Sequence, residues 1–524
     1  MRTYLNTALP LLLLFSLNLR SQSPVDNVKT VSGPLQTLEN RAEIIGLCKG
    51  PGGTVQLLKS IPSGRRDYDP DWVLETWDLA GFQKTGTLSL ETPKWEGEPL
   101  RYLEHRQRKD SVLCFFWTLI DRKKRKHFLF SSFIDASGRA SRLRQIHEIA
   151  MRDQYAGQFT IFLSDDQSKW MALAGFKGFS DSEWTAVVLD SSFNRLSINN
   201  IASPYQADKT VADTQAVDNK GRVLAFISAD TDTKSKKAES LRQALLIYGV
   251  NEAKPAVIPV EAPGKLLRSI LFDFQEPDIV TLFGTYTGIE EKKEYFESAS
   301  IGSFGTFSCT IDLSAQTAGE VRCTPFDPKY ADYFYTRKLK SQGEGLVGPT
   351  PRQVVRTKDG IRRVLVQSGG VSTYTGGNKW RTRYTSGPLI AVLYDKDGKY
   401  LSENLLLKAI AASDHSGGIG QIYVEDGENL HILYNNPAKN RGAKTAKELD
   451  YGETPESTYN GVNKDTEVWY ALSQPDGSFK TKCLFEVSPE KLYMNSLLSV
   501  RSSEREAVFL TGYREQYRLV KLTY

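Results

Sequence analysis

Short apolar runs recur along almost the whole chain, and the polar residues between them follow a pattern. An apolar run ends in Asp, then a few small or polar residues, then Gly. The clearest cases are Tyr394-Asp395-Lys396-Asp397-Gly398, Trp77-Asp78-Leu79-Ala80-Gly81 and Ile134-Asp135-Ala136-Ser137-Gly138, with Phe in the Gly position at Leu189-Asp190-Ser191-Ser192-Phe193. Looser versions lie at Tyr248-Gly249-Val250-Asn251, from Ile311 to Gly319, and at Ser473-Gln474-Pro475-Asp476-Gly477. An Asp carboxylate accepts backbone N–H groups two residues on and Gly takes positive φ freely, so each predicts a tight strand-to-strand turn. The spacing starts at roughly 55 to 60 residues and stretches to about 80, a propeller-like period with insertions.

A second turn precedes each of these and leads into the most apolar strand of its unit. Asp218-Asn219-Lys220-Gly221 precedes 222–227, Lys358-Asp359-Gly360 precedes 361–366, and Asp426-Gly427 precedes 430–434. Val112-Leu113-Cys114-Phe115-Phe116-Trp117 and Leu389-Ile390-Ala391-Val392-Leu393 are apolar on both faces, so their sheet is packed on both sides. Four-stranded sheets stacked around an axis meet that requirement, which predicts an all-β single propeller. The count is eight blades, the last completed by an N-terminal strand near residues 28–31. Seven is the alternative if 43–58 does not form two strands, and a pair of β-sandwiches is the rival architecture.

Topology then separates the two ends of the ring. First-to-second and third-to-fourth turns lie at one end; second-to-third loops and blade links lie at the other. The short Asp/Gly turns fall in the first class. The long insertions, 228–241, 368–386, 435–465 and 326–350, fall in the second, the end where binding is expected.

Composition adds a leader. Residues 1–23 carry Arg2, an apolar run from Ala8 to Leu19, and Arg20-Ser21-Gln22-Ser23, the form of a signal peptide, with the cut placed after Ser21 and the propeller spanning 22–524. The run is too short to span a bilayer, so no transmembrane anchor is expected. The first cysteine is Cys48, which argues against a lipoprotein anchor. The expectation is an exported protein: periplasmic, cell-surface or secreted. The small excess of basic over acidic residues, 67 to 62, gives no warrant for a nucleic-acid partner. Of five cysteines, Cys309 and Cys323 are the pair close in sequence. They are a candidate disulfide, with two free thiols as the alternative.

Candidate chemistry is sparse. A calcium loop with Gly398 at its sixth position would need carboxylates at Leu393 and Asn404, so that reading fails. Phe179-Ser180-Asp181-Ser182-Glu183-Trp184-Thr185 lacks the Gly of a sialidase Asp-box. Arg122-Lys123-Lys124-Arg125-Lys126 reads as a solvated loop. The richest face combines Tyr335 and Arg337, then Trp380, Arg381, Arg383 and Tyr384, then Asp414 and His415. Aromatic faces stack on sugar rings and Arg forks pair with anions, a mixture suited to an anionic glycan or a peptide. Asp414 and His415 are neighbours, and on a strand they would point to opposite faces, which argues against an acid/base pair. No cofactor or metal motif is evident.

The segment His431-Ile432-Leu433-Tyr434-Asn435-Asn436-Pro437-Ala438-Lys439-Asn440, after Asp426-Gly427, resembles uncharacterised exported proteins of Bacteroidetes-type bacteria. The resemblance implies an exported, propeller-like protein and brings no activity. Asn435 and Asn436 stand where a strand hands over to the longest insertion. Either they satisfy strand-end backbone groups or they ligate a partner. The leading expectation is a non-catalytic propeller that binds a protein or glycan through its long-loop end. The alternative is a polysaccharide hydrolase or lyase.

Overall fold

The computed structural model describes residues 24–524 except 40–41, 63–69, 136–137, 153–154, 177–183, 203, 206–208, 233–240, 251, 253, 289–301, 331–348, 377–378, 414–419, 428, 446–447, 451–460, 463–464, 487–491 and 514. Side chains at 24, 26, 209, 370–376, 379–381, 383, 413, 461–462 and 513 are also outside the description. Eight antiparallel sheets form the blades of one β-propeller. Their inner strands begin at residues 43, 101, 158, 209, 266, 350, 421 and 493. Blade 1 opens with Glu43–Lys49 and Val55–Ile61, two separate strands, so the count is eight. Blade 8 takes three strands from the C-terminus, Tyr493–Ser503, Glu506–Tyr513 and Gln516–Thr523. Its fourth is the N-terminal Lys29–Ser32, in register from Lys29 opposite Thr523 to Ser32 opposite Val520.

Period-two alternation distributes each second strand between two neighbours. In Val223–Asp230, Leu224 and Phe226 pack toward Leu267, Ile270 and Leu282 of blade 5. Val223, Ala225 and Ile227 pack toward Met171, Leu173 and Val188 of blade 3. The strand is buried throughout, and apolar from Val223 to Ile227, because both faces are interior. Inner strands come closest. A Cβ added to Gly46 of blade 1 would lie 2.2 Å from the imidazole of His105 in blade 2, so that crossing requires glycine.

The Asp/Gly turns behave as their chemistry dictates. Asp395 Oδ1 accepts the Asp397 and Lys399 N–H groups at 2.9 and 2.8 Å, and Gly398 adopts φ +73°. Asp190 and Asp312 accept two backbone N–H groups each in the same way. The same end also joins neighbouring blades. The Lys49 N–H donates to Gln107 Oε1 at 2.7 Å, Lys109 N–H to Gln167 Oε1 at 2.6 Å, and Asp166 N–H to Asn219 Oδ1 at 3.1 Å. Arg222 reaches Asp278 at 2.7 Å, Arg362 reaches Asp273 at 2.9 Å, and Lys358 N–H reaches the Gly427 carbonyl at 2.7 Å. Successive blades from 1 to 7 are thus linked at the turn end.

At the other end, one expectation changes. Residues 368–386 are not an irregular insertion; they form a paired hairpin. The second and third strands of blade 6, Arg362–Gly376 and Lys379–Tyr394, run 15 and 16 residues, and their pairing continues to Gly376 opposite Lys379. Ile410–Ser413 adds to the hairpin's edge opposite 383–386, and Gly461–Val462 adds to that.

The candidate disulfide does not form. Cys309 and Cys323 are both free thiols. Cys323 lies opposite Phe307, so the two cysteines are diagonal rather than facing, and the Cys309 thiol points to the Gly319 carbonyl at 3.5 Å. A bridge needs close, facing Cβ atoms.

Candidate functional site

Tyr335, Arg337, Asp414 and His415 lie outside the described residues. Trp380, Arg381 and Arg383 belong to the projecting hairpin of blade 6, opposite Thr375, Tyr374 and Ser372. Their side chains are outside the description. Tyr384 is half-buried, paired with Val371 on one side and Ala412 on the other.

Asn435 and Asn436 leave the ligand-facing set. Both are buried, at 0% and 3% exposure. Asn435 donates to the Met494 carbonyl at 2.7 Å and accepts the Met494 N–H at 3.0 Å, clamping blade 7 to the inner strand of blade 8. Asn436 Oδ1 accepts from Ala409 N–H at 3.3 Å and from Asn440 Nδ2 at 3.0 Å. Of the two readings, the strand-end one describes both residues: their amides complete backbone hydrogen bonding where the strand Leu430–Pro437 ends.

The described polar cavity sits elsewhere, around the central axis at the turn end. It has a volume of about 490 Å³ and is lined by Asp165, Phe272, Asp273, Gln353, Arg356 and Glu425, among others. Arg356 closes the inner strand Thr350–Arg356 of blade 6, and Glu425 closes Gln421–Glu425 of blade 7. Asp273 lies on the inner strand of blade 5, and Asp165 in the first turn of blade 3. Asp273, 3% exposed, accepts from both Arg356 and Arg362. Arg356 also donates to the Phe274 carbonyl and reaches Asp165 Oδ2 at 3.4 Å, contacting a blade that is not its neighbour.

Burial raises Asp165 above the ordinary carboxylate range, Asp273 adds to the rise, and Arg356 and Lys109 oppose it. Burial likewise raises Glu425, against Arg501, Arg356 and Arg363. Glu425 is shared with a second cavity of about 310 Å³ between blades 7 and 8, which adds Tyr423, Ser499 and Arg501. Fixed guanidinium donors beside partly desolvated carboxyl groups can orient a polar ligand and exchange protons with it. Among the described residues no group of three or more His, Cys, Asp or Glu is placed to hold a metal ion.

These residues carry little signal in one dimension. Arg356 and Glu425 hold equivalent places, each ending an inner strand just before a first turn, and alignment of the blades on that turn would bring them together. Asp165 and Asp273 become neighbours only once the ring closes. The basic run is partly paired: Lys124 meets Glu96 at 2.5 Å and Asp121 at 3.7 Å, and Lys126 meets Glu148.

No protein-family model and no curated protein sequence matches the chain. Among solved structures it is similar to the WD40 domain of SCAP from fission yeast, at 10% identity and TM-score 0.36, over 94% of this chain and 98% of that one. It is also similar to the β-propeller domain of the Trilobed protease from Pyrococcus furiosus, at 11% identity and TM-score 0.37, over 85% and 97% of the two chains. Prolyl oligopeptidase B from Galerina marginata is similar at 10% identity and TM-score 0.39, over 91% of this chain and 56% of that one. These are likenesses of fold.

Proposed function

We propose that the chain is an exported, non-catalytic β-propeller that binds a protein or glycan partner through its elaborated end. One observation carries the reading. Second and third strands are 7 to 9 residues long in blades such as 1, 2, 3 and 4, and 15 and 16 residues long in blade 6. The eight further pairs from Gly369–Ser386 to Gly376–Lys379 extend that hairpin by roughly 25 Å at 3.3 Å per residue. The extension goes beyond the strand length that suffices for the other blades, and it bears Trp380, Arg381 and Arg383, a composition suited to stacking and anion pairing. The leader-like residues 1–21 supply the route to the periplasm, cell surface or medium. Trp380→Ala combined with Arg381→Ala tests the reading on a glycan array and in pull-downs from the exported fraction. Weakened capture of a verified ligand by a folded variant supports it, and unchanged capture removes the hairpin from the site.

A second reading, a polysaccharide hydrolase or lyase, draws on the axial cavity, where Asp165 and Glu425 are both raised by burial. A raised carboxyl can serve as a general acid. Turnover of a polysaccharide that Glu425→Gln abolishes without loss of folding would favour it over the binding reading.

A further inference from the structure

The junction that closes the ring contains a third polar cavity, lined by neither the axial residues nor the projecting hairpin. Its volume is about 430 Å³, and its walls come from blade 1, from Tyr517 of blade 8 and from the link between them. Lys59 and Glu75, 8% and 7% exposed, form an ion pair of 2.7 Å at its wall. Both Glu75 oxygens are engaged: Trp77 Nε1 also donates to Oε2 at 3.2 Å, and Lys84 donates to Oε1 at 3.3 Å. Burial pushes the Glu75 carboxyl up, but the Lys59 and Lys84 ammonium groups outweigh it and hold the pKa below its ordinary value. That carboxylate is therefore charged, and two lysines share it.

The donors are not saturated. Lys59 gives one hydrogen to Glu75 and one to the Tyr517 hydroxyl at 3.0 Å, and among the described residues nothing takes its third. Tyr517, 3% exposed, accepts from Lys59, and among the described residues nothing accepts its own proton. Lys84 is half-exposed and uses one hydrogen. Three donors thus meet at the inner wall, where two lysines stand against one carboxylate; the exposed Glu39 brings the lining as a whole to charge balance. Glu39 lies on the rim, with Gln36 and Gln83 as amides and Trp77 and Phe82 as aromatic walls. Surplus donors beside two ammonium groups select an oxyanion. Amides beside aromatic rings suit a hydroxylated ring.

We infer that the cleft between the first and last blades is a binding site for a sugar acid, whose carboxylate is received by Lys59, Lys84 and the Tyr517 hydroxyl. The site does not depend on the hairpin, so it stands or falls separately from the proposed binding face.

Glucuronate and glucose differ at this position by the carboxylate, and calorimetric titration of the folded chain with each isolates its contribution. Glucuronate binds about tenfold more tightly than glucose, and Tyr517→Phe and Lys84→Met each weaken glucuronate about fivefold, the net effect of one hydrogen bond. Tyr517→Phe keeps the ring, and Lys84 is half-exposed, so the melting temperature of each variant serves as a folding check. Equal binding of the two sugars, or no glucuronate binding, overturns the inference. So does unchanged affinity in both variants. Acetate binding as tightly as glucuronate overturns the sugar-acid assignment.

Discussion

The Lys408 amine lies 2.8 Å from the Ser386 hydroxyl, at 0% exposure, and among the described residues no carboxylate pairs with it. The Ser386 oxygen also receives the amides of Gln367 at 2.5 Å and Gln421 at 3.1 Å. Tyr423 donates to Gln421 Oε1 at 2.8 Å, which orients that amide. Lys408 thus donates to an oxygen that already receives two amide N–H groups, a weak counterpart for a buried ammonium. Burial, then the charge of Arg352, draws its pKa down to about 7.

This has a pH signature. Unfolded lysine titrates near 10.4, so above about pH 7 the unfolded chain holds a proton that the folded chain has released, and stability rises with pH. Buried thiols act oppositely: burial raises Cys48 and Cys309 to about 12, so their contribution is lost only above about pH 8.5. His105, His127, His147 and His431, whose pKa values burial lowers, contribute a rise of the same sign that is complete by about pH 7.5. Between about pH 7.5 and 8.5, therefore, Lys408→Met should flatten the upward trend in melting temperature. It should also raise stability at pH 6.5 by about 1 to 4 kcal/mol. An unchanged slope would show that the amine stays charged in the fold.

At the axial cavity, Asp273 is held by two guanidinium groups of unequal burial, Arg362 at 7% side-chain exposure and Arg356 at 39%. Arg362→Met leaves a buried carboxylate with its more solvated partner alone and should cost about 3 kcal/mol in urea unfolding. Arg356→Met should cost about half that. The reverse order would mean that Arg356 is the principal support.

Gly46→Ala drives a methyl group into His105, which is hydrogen-bonded to Tyr102 at 2.5 Å and has little room to retreat. Overpacking of this kind costs about 1 to 3 kcal/mol. Gly46→Ala with His105→Ala should recover most of the loss, and a double variant no better than the single one would place the strain elsewhere.

Removal of residues 22–37 strips the edge of Gln516–Thr523, whose Val520 and Leu522 are buried at 1% and 0%. A bare strand edge pairs with other chains, so the truncated protein should melt earlier and sediment as oligomers. A monomer of unchanged melting temperature would mean that the closing strand is dispensable.

The blade count was legible because its signals are local. Asp395 and Gly398 define their turn within five residues, and strands such as 389–393 declare their two-sided burial directly. The closing strand followed from counting what blade 8 lacked. The hairpin was not legible: Ser368-Gly369-Gly370 and Gly376-Gly377 have loop composition, while Val371, Thr373 and Thr375 between them alternate as β-branched strand residues. The axial site was hidden for a different reason. Asp165 and Arg356 are 191 residues apart and meet only across a closed ring.

The links running from Lys49–Gln107 to Lys358–Gly427 fasten the turn end of the ring. His127 to the Ala156 carbonyl, Gln243 to Leu267, Gln421 to Ser386 and Asn435 to Met494 fasten blades at the other end. A ring tied at both rims has no free rim to open first, so its blades should loosen as one unit. Amide exchange along the inner strands should then show a single slow population rather than a gradient from one end to the other.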